Sequence, residues 1–414
     1  MEQVMRELFT FDDNVFRGDF IIYGYHEERE EFVVSIMKDG HETIVGAFSE
    51  GLSNEEYDSL YHTIVANQDH IDQNISRVAP GICVELSFKG MLNNEIIDPT
   101  FLSFQLDTDY RECTEMNLIL TNLPYYEVGF LTNPSKKYWP DVTKRDYISY
   151  LLNVSPLLLP MLKNKHLTII RYPDGVENES FYQKNCPAYA PAFIQTDRSE
   201  DIDYIICNHL STLVWLGNQG SLELHIPFHT IQSNKPVEIV FDLDPPDEKS
   251  FDLVILAANE INKILSSLGI VGFPKLTGSK GIQIHIPMKG LELTYDDTRL
   301  FTSFIANYLV QQNPASFTIE RMKRNRKGKL YVDFLQHAEG KTMICPYSTR
   351  GKHKPTVAAP LYWKEVNNSL SPSSFTINSV LERIEKMECP FQAYYHETNP
   401  SLLAIIDKLQ KETS

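Results

Sequence analysis

The segment "VFDLDPPDE" (240–248) places Asp242 and Asp244 one residue apart at the end of an apolar run. Alternate residues of a β-strand point to the same face, so a strand here would set the two carboxylates side by side. Adjacent carboxylates repel each other, and a divalent cation bound between them removes that repulsion. Mg²⁺ and Mn²⁺ both accept carboxylate oxygens. The alternative interpretation is a solvated strand end that leads into a proline turn.

Two later segments carry groups that could act with this pair. In "LTGSKGIQIHIP" (276–287), a turn of small residues and one lysine lies between two strands. Its N–H groups, hydroxyls and ammonium suit a phosphate, although the P-loop spacing is absent and a plain hairpin turn is the alternative. In "LYVDFLQ" (330–336), Asp333 lies in another apolar strand. If Asp333 met the first pair, three carboxylates and two cations would support phosphoryl transfer; alone, Asp333 is an ordinary structural group.

The distribution of charge changes what the net charge of −17 implies. Residues 1–115 contain 7 Lys and Arg against 24 Asp and Glu, whereas the rest of the chain contains 31 of each. Such asymmetry favours two domains with different functions. The neutral part contains the densest basic runs, "ERMKRNRKGK" (320–329) and "RGKHK" (350–354), so it remains compatible with nucleic acid.

The elements that must position these residues follow from apolar periodicity. In the first part, strands are predicted at 18–25, 30–37, 42–48, 82–90 and 100–106, with a helix at 53–64 opened by a Ser53–Glu56 capping box. Three strands, a helix and two strands is the order of an OB-fold barrel. The stretch 107–128 is interpreted as a connection.

Helical and strand patterns alternate in the second part. Helices are predicted at 143–164 (interrupted by two prolines), 209–220 and 250–269, and strands at 166–173, 222–226, 237–244, 282–288 and 329–335. The predicted fold is therefore a two-domain α+β protein. An N-terminal OB-fold β-barrel (1–115) would precede an α/β domain (116–414) with a central, mostly antiparallel sheet.

The order and spacing of several motifs carry a resemblance to a known family. They are "TNPSKKYWPDVTKRD", "RYPDGVENESFYQKN", "LELH", "VFDLDPP", "TGSKGIQIHIP", "KGKLYVDFLQ" and "CPYSTRG". Together they closely resemble the polymerase domain of bacterial ligase D, a branch of the archaeo-eukaryotic primase superfamily, over about residues 118–395. Residues 1–115 resemble the OB domain of the ligase module, and this order is that of the Bacillus-type ligase D.

The resemblance implies roles for individual residues. Asp242, Asp244 and Asp333 would be the catalytic carboxylates and would hold two Mn²⁺ or Mg²⁺ ions. The implied nucleotide-binding residues, for NTP or dNTP, are His225, Thr277, Ser279, Lys280, Arg326 and Arg350. The implied DNA-binding residues are Lys136, Lys144, Arg171, Phe181 and Lys184. The two lysines Lys136 and Lys144 would grip the 5′-phosphate at a break or gap.

The sequence also departs from the family pattern. Gln283 occupies a position where the family usually has histidine, which affects nucleotide contact rather than the metal site. A ligase needs a KxDG lysine, and neither "MKDG" (37–40) nor "YPDG" (172–175) supplies it. We therefore expect no ligation from this chain, which would be a fragment or a truncated form of ligase D.

Two functions are predicted, from different classes. The first is a metal-dependent polymerase that fills gaps and extends DNA ends with a preference for ribonucleotides, acting with a Ku-type end-binding protein in non-homologous end joining. The alternative is a non-catalytic module that bridges DNA ends, with the OB domain as a partner platform. The scattered cysteines, the acidic start and the absence of an apolar run of roughly 18 residues predict a cytoplasmic protein without a membrane partner. The resemblance implies that the protein is also nucleoid-associated.

Overall fold

The alternating segments near the N-terminus form one sheet around the long strand β1. The computed structural model describes residues 1–10, 14–72, 74–123 and 131–413. The chain divides into two units, Met1–Phe130 and Leu131–Ser414. The helices of the first unit are α1 (Glu2–Leu8), α2 (Asn54–Ala66) and α3 (Glu115–Thr121). Its strands are β1 (Phe16–His26), β2 (Glu31–Lys38), β3 (His41–Phe48), β4 (Gln68–Asp72), β5 (Ile75–Val78), β6 (Cys83–Phe88), β7 (Gly90–Leu92), β8 (Glu95–Ile97) and β9 (Thr100–Phe104).

Strand β1 is longer than its partner strands, and one of its edges pairs with two of them. It pairs with β2 on one edge, whereas the other edge pairs with β6 over Phe16–Ile21 and with β5 over Gly24–His26. This division bends the sheet into part of a barrel. The five predicted strands and the capped helix at 53–64 are confirmed, and the Ser53–Glu56 capping box is formed. The predicted order was incomplete, because β4, β5, β7 and β8 are additional short strands. The finer OB-fold assignment stays a prediction.

The first unit extends past the predicted domain boundary at residue 115. Helix α3 packs on β1, since the Asn122 side chain exchanges hydrogen bonds of 3.0 and 2.6 Å with the backbone of Arg17. Part of the predicted connection, 124–128, lies outside the described residues. The domain limits 1–115 and 116–414 stay a prediction.

The second unit is built from two principal sheets and the helices around them. Its helices are α4 (Lys144–Leu162), α5 (Leu210–Asn218), α6 (Phe251–Ser267), α7 (Tyr295–Gln312), α8 (Ile377–Lys386) and α9 (Ser401–Thr413). Its strands are β10 (Lys137–Trp139), β11 (Val142–Thr143), β12 (Thr168–Arg171), β13 (Phe181–Gln183), β14 (Thr196–Ser199), β15 (Ile202–Ile205), β16 (Ser221–Pro227), β17 (Glu238–Asp244), β18 (Phe273–Leu276), β19 (Ile282–Pro287), β20 (Phe317–Thr318), β21 (Leu330–Asp333) and β22 (Thr342–Ile344).

The two sheets contact each other on one face of the β17 sheet, and helices α6 and α7 cover its other face. Among the described residues, one sheet has the order β13-β12-β16-β22 and the other β18-β19-β17-β21-β20, and only the β20–β21 pair is parallel. Ile239, Phe241 and Leu243 of β17 enter the core formed with α6 and α7. The other face of that sheet packs on β22, where the Lys275 ammonium donates to the Ile344 carbonyl at 2.6 Å. The mixed α+β character and the mostly antiparallel pairing are confirmed, but the strands form two principal sheets rather than one central sheet.

Helix α4 corrects one expectation. The two prolines, Pro156 and Pro160, lie inside a continuous helix and do not interrupt it. A proline removes the N–H that would bond four residues back. The carbonyl left free by Pro156 is that of Leu152, and the Ser155 hydroxyl donates to it at 2.9 Å. Helix α6 ends at Ser267, within the predicted range, and Gly269 shortly after it is in the left-handed conformation (φ +67°). None of the helices in the described ranges is long and apolar enough to cross a membrane.

Candidate active site

The three predicted carboxylates meet on one face of the β17 sheet. Asp242 and Asp244 alternate with the buried Phe241 and Leu243, so they occupy the face opposite the α6 and α7 core. Strand β21 pairs antiparallel with β17, in a register that sets Asp333 directly opposite Asp242. Residues opposite each other on neighbouring strands share a face of the sheet. The long-range pairing on which the sequence hypothesis depended is therefore present.

The environment of Asp242 and Asp333 opposes the ionisation of these two carboxylates. Burial raises the pKa of Asp242 to about 6, and the charges of Asp333 and Asp244 act in the same direction. Burial likewise raises the pKa of Asp333, although hydrogen bonds from the Tyr331 hydroxyl and the Gln336 N–H, both 3.0 Å, oppose it. Neighbouring carboxylate oxygens that repel each other are ligands that suit a hard divalent cation.

In this conformation, the Asp244 carboxylate is paired with two cationic side chains. Its Oδ1 lies 2.9 Å from the Lys280 ammonium and its Oδ2 lies 3.2 Å from the Arg326 guanidinium. Arg326 is held in turn by the carbonyls of Glu320 and Arg321, and its guanidinium stacks over the Tyr331 ring at 3.9 Å. Within the described ranges, no three His, Cys, Asp or Glu side chains converge in a way that could hold a metal ion. The donor chemistry fits a divalent cation, but Asp244 would have to leave its two cationic partners to bind one.

Most of the predicted nucleotide ligands surround the same cleft. The cleft has a volume of about 230 Å³. Of the predicted residues, it is lined by His225, Asp242, Asp244, Thr277, Ser279, Lys280 and Arg350. Arg326 joins them through Asp244, and Asp333 through its pairing with Asp242. Residues more than 100 positions apart in the chain are thus brought together around one cavity.

The "TGSKG" turn (277–281) differs in one respect from the phosphate site that its composition suggests. The Thr277 hydroxyl accepts hydrogen bonds of 3.2 Å from the N–H groups of both Ser279 and Gly281. These two donors therefore hold the turn itself. Among the groups of this turn, the Lys280 ammonium is the one placed against the carboxylates, at Asp244.

Gln283 lies beside Asp242, on the side away from Asp333. The register of β19 sets it opposite Asp242, and its Nε2 donates to Asp242 Oδ1 at 3.1 Å. Its Oε1 is buried without a hydrogen-bond partner among the described residues. On the next strand Lys275 lies opposite Gln283, and burial lowers the pKa of Lys275 to about 7. Gln283 therefore contacts a predicted catalytic carboxylate directly, at the position where the sequence departs from the family pattern.

The predicted 5′-phosphate anchors lie together at the start of α4. The Lys144 N–H donates to the Lys136 carbonyl at 2.7 Å, so the two lysines are neighbours. The Lys144 ammonium donates to the carbonyl of Asn218, at the C-terminus of α5, at 2.9 Å. Burial and then the nearby Lys136 charge lower the pKa of Lys144 to about 8. The Lys136 ammonium bonds to Asp174 at 2.8 Å and to the Pro173 carbonyl at 2.9 Å.

The other predicted DNA contacts follow β12 and β13. Arg171 lies opposite Phe181, and its guanidinium covers the Phe181 ring at 5.3 Å. Phe181 and Tyr182 are 46% and 75% exposed, so this aromatic pair does not pack in the core. Lys184 is exposed just beyond β13. Phe181, Tyr182 and Lys184 form an exposed surface separate from the cleft lining, and the buried Arg171 lies beneath it. The surface and the cleft are connected because β12 pairs with β16, the strand that carries His225.

Sequence reasoning missed two polar residues at the cleft. Gln336 lines it and contacts Asp333 through its N–H. Glu223 is buried two residues before His225 and accepts a hydrogen bond from that histidine. The alternation in "LELH" (222–225) already placed Glu223 and His225 on one strand face. The ion-pair partner of Glu223 is Arg350, which is far along the chain and could not be identified from this pattern.

Residues 143–391 match the model of the LigD primase-polymerase domain. The chain belongs to this family. It is 42% identical over 395 residues to the bifunctional non-homologous end joining protein LigD of Bacillus subtilis strain 168, covering 95% of this chain and 65% of that protein. It is 31% identical to the multifunctional non-homologous end joining protein LigD of Mycolicibacterium smegmatis, over 63% of this chain and 35% of that one.

The fold of the second unit has a solved counterpart. The polymerase domain of Mycobacterium tuberculosis ligase D in complex with DNA superposes with a TM-score of 0.57 and 30% identity, covering 62% of this chain and 94% of that domain. The primase-polymerase fold predicted for the second part of the chain is therefore confirmed. The chain spans about two thirds of the length of its B. subtilis relative. The match to that relative extends over most of the first unit, in agreement with the predicted Bacillus-type order.

Proposed function

We propose that this chain is a metal-dependent nucleotidyltransferase that extends DNA 3′ ends and fills gaps in non-homologous end joining. One observation carries the proposal: Asp242, Asp244 and a set of cationic side chains line one cleft, and Asp333 lies opposite Asp242 on the neighbouring strand, in a chain of the LigD primase-polymerase family. The reaction is attack of the primer 3′-hydroxyl on the α-phosphate of a nucleoside triphosphate, with pyrophosphate as the leaving group.

Asp242, Asp244 and Asp333 would hold the divalent ions. Bound there, the ions would neutralise charge on the triphosphate and lower the pKa of the attacking hydroxyl. The protein residues hold the ligands in place around them. Gln283 keeps the Asp242 carboxylate oriented through its 3.1 Å hydrogen bond. We further propose two ions, Mn²⁺ in preference to Mg²⁺, and ribonucleotides in preference to deoxyribonucleotides.

Cationic side chains of the cleft would balance the triphosphate. Lys280 and Arg326 are the two partners of Asp244. If Asp244 bound a metal ion, Lys280 and Arg326 would lose this carboxylate partner and their charges would be available to the phosphates of a nucleotide. Metal binding and triphosphate binding would therefore support each other. The metal ion would supply the positive charge next to Asp244, and the triphosphate would supply the negative charge next to Lys280 and Arg326. Arg350, His225, Thr277 and Ser279 complete the nucleotide-binding set.

DNA would bind along the β12 and β13 surface. Arg171, Lys184 and the exposed Phe181 ring supply a cation and a stacking platform for a base at the DNA end. Lys136 and Lys144 would receive the 5′-phosphate of the downstream strand. The DNA in the solved complex of the M. tuberculosis domain supports nucleic-acid binding by this fold.

Primer extension on gapped, 5′-phosphorylated DNA tests the proposal. With Mn²⁺ the parent should add nucleotides, and Asp242→Ala should lose at least about 100-fold in rate. Asp252→Ala, in the first turn of α6, is a matched control that removes an aspartate outside the cleft. Extension by Asp242→Ala at the parent rate would refute the carboxylate assignment. DNA-end binding without incorporation by the parent would support the end-bridging alternative instead.

The first unit would serve a different purpose. We propose that its bent sheet is an OB-fold without ligase activity, because a KxDG lysine is absent from the sequence. Its acidity makes a protein partner more favourable than DNA as its ligand. A Ku-type end-binding protein would be the partner of the whole assembly, at DNA ends in the nucleoid.

A further inference from the structure

Glu223 is a buried carboxylate that none of the roles above uses. It lies on β16 and is 4% exposed. Acidic side chains are almost never fully buried unless they are paired. Here four donors converge on its two oxygens. Oε1 accepts from the Gly351 N–H at 2.9 Å and from the Tyr172 hydroxyl at 3.4 Å, and Oε2 lies 3.1 Å from His225 Nε2 and 3.0 Å from an Arg350 guanidinium nitrogen.

The two donors at Oε2 are side chains of the cleft. His225 and Arg350 both line it, although they are on different segments of the chain. The Nε of Arg350 is buried and has no hydrogen-bond partner among the described residues, so the ion pair with Glu223 is the main polar constraint on its guanidinium. A guanidinium presents its donors in a fixed fork, so holding one nitrogen orients the whole group.

We propose that Glu223 is a positioning residue of the nucleotide site. Its carboxylate holds His225 and Arg350 together, in the orientation in which they receive the triphosphate. The inference rests on the proposed function, because it assumes that the cleft binds a nucleoside triphosphate. It adds a residue that never touches the nucleotide and acts only through the two that do.

The carboxylate is needed because both of its oxygens accept. An amide of the same shape keeps one acceptor and turns the other oxygen into a donor, which cannot accept from a guanidinium or an imidazole N–H. In Glu223→Gln, one pair of donors must therefore lose its acceptor. The Gly351 N–H is fixed in the backbone, so the amide oxygen stays with it, and His225 and Arg350 are the pair released.

Equilibrium binding separates positioning from a structural role. A fluorescent nucleoside triphosphate is titrated with Mn²⁺, and a 5′-phosphorylated duplex end is titrated separately, with thermal unfolding recorded for each variant. Glu223→Gln should weaken nucleotide binding about tenfold and leave end binding within about twofold. Tyr172→Phe is the matched control, because it removes one donor to Glu223 without touching His225 or Arg350, and it should bind nucleotide within about twofold of the parent. Glu382→Gln, on the exposed face of α8, controls for the loss of one negative charge.

The decisive measurement is a double-mutant comparison. If Glu223 acts through Arg350, then Glu223→Gln should add less than about twofold in an Arg350→Ala background, since groups that act as a unit are not additive. Independent, additive losses, or equal losses of end binding and of thermal stability, would overturn the positioning role. If Glu223→Gln does not fold, Glu223→Asp keeps the charge and should give a smaller loss that is likewise suppressed by Arg350→Ala. Should Arg350→Ala and His225→Ala bind nucleotide as the parent does, the nucleotide site itself is misplaced, and the proposed function falls with the inference.

Discussion

The lowered pKa of Lys144 predicts that the grip on a 5′-phosphate weakens as the pH rises through 8. Burial and the neighbouring Lys136 charge lower this pKa from 10.5 to about 8. In free protein, the ammonium is therefore about 90% protonated at pH 7 and about 10% protonated at pH 9. A 5′-phosphate bound beside it would restore its usual basicity, because an opposite charge favours the charged form.

The expected magnitude follows from this titration. Binding at pH 9 must protonate an amine that is mostly neutral, which weakens the phosphate-dependent affinity about tenfold relative to pH 7, or about 1.4 kcal/mol. The phosphate does not contribute to the change, because its second pKa is near 6 and it is a dianion throughout this range. The direction is that of a base with a lowered pKa: the preference is present below pH 8 and is lost above it.

The assay is fluorescence anisotropy on gapped DNA with and without the 5′-phosphate, at constant salt, at pH values from 7 to 9. The quantity compared is the ratio of the two dissociation constants, which cancels effects of pH on the rest of the interface. Lys144→Arg is the matched control, since a guanidinium stays protonated throughout and its ratio should stay constant. A constant ratio for the parent, or the same decline in Lys144→Arg, would refute the assignment of Lys144 as the anchor.

Three further predictions concern the site and its support. Gln283→Leu removes the hydrogen-bond donor to Asp242. Hydrogen bonds to charged groups contribute about 1.5–3 kcal/mol, so the Mn²⁺ affinity measured by electron paramagnetic resonance should fall about tenfold or more. An unchanged Mn²⁺ affinity would contradict this role of Gln283. Burial lowers the pKa of His337 to about 4, so stability present above pH 6.5 should fall by about 3 kcal/mol as the pH drops to 4, and His337→Gln should flatten this dependence in urea unfolding. Gly351→Ala would place a methyl group inside the Tyr172 ring and should lower stability by about 1–3 kcal/mol together with nucleotide affinity, whereas Gly81→Ala, where a Cβ meets open space, should do neither.

Local pattern predicted the strands that carry the aspartates. The alternation in β17 and the apolar run in β21 located Asp242, Asp244 and Asp333, and their antiparallel pairing is confirmed. The roles of these residues stay predictions. The family resemblance supplied what alternation could not, namely that segments separated by almost 90 residues meet at one cleft.

Other features depended on long-range contacts that no local pattern contains. The role inferred for Glu223 depends on its ion pair with the distant Arg350. The ion pairs of Asp244 likewise involve the distant Arg326 and Lys280. Helix α7 was missed although Thr294 and Asp297 form a capping box at its start, a signal that the sequence did display. The two prolines of α4 were wrongly expected to interrupt the helix. The Ser155 hydroxyl donates to the carbonyl that one of them leaves without its usual N–H partner.

The alternation in β17 has a consequence for how this domain can change over evolution. Ile239, Phe241 and Leu243 fill the core below α6 and α7, whereas Asp242 and Asp244 alternate with them and face the cleft. A single-residue insertion or deletion within the strand would exchange the two sets, sending carboxylates into the core and Phe241 into the cleft. Substitutions at this strand can be sampled one at a time, with separable effects on stability and on chemistry. Changes in the length of β17 would alter stability and chemistry together. Length variation among proteins that evolve from this sequence should therefore be confined to the loops that flank this strand.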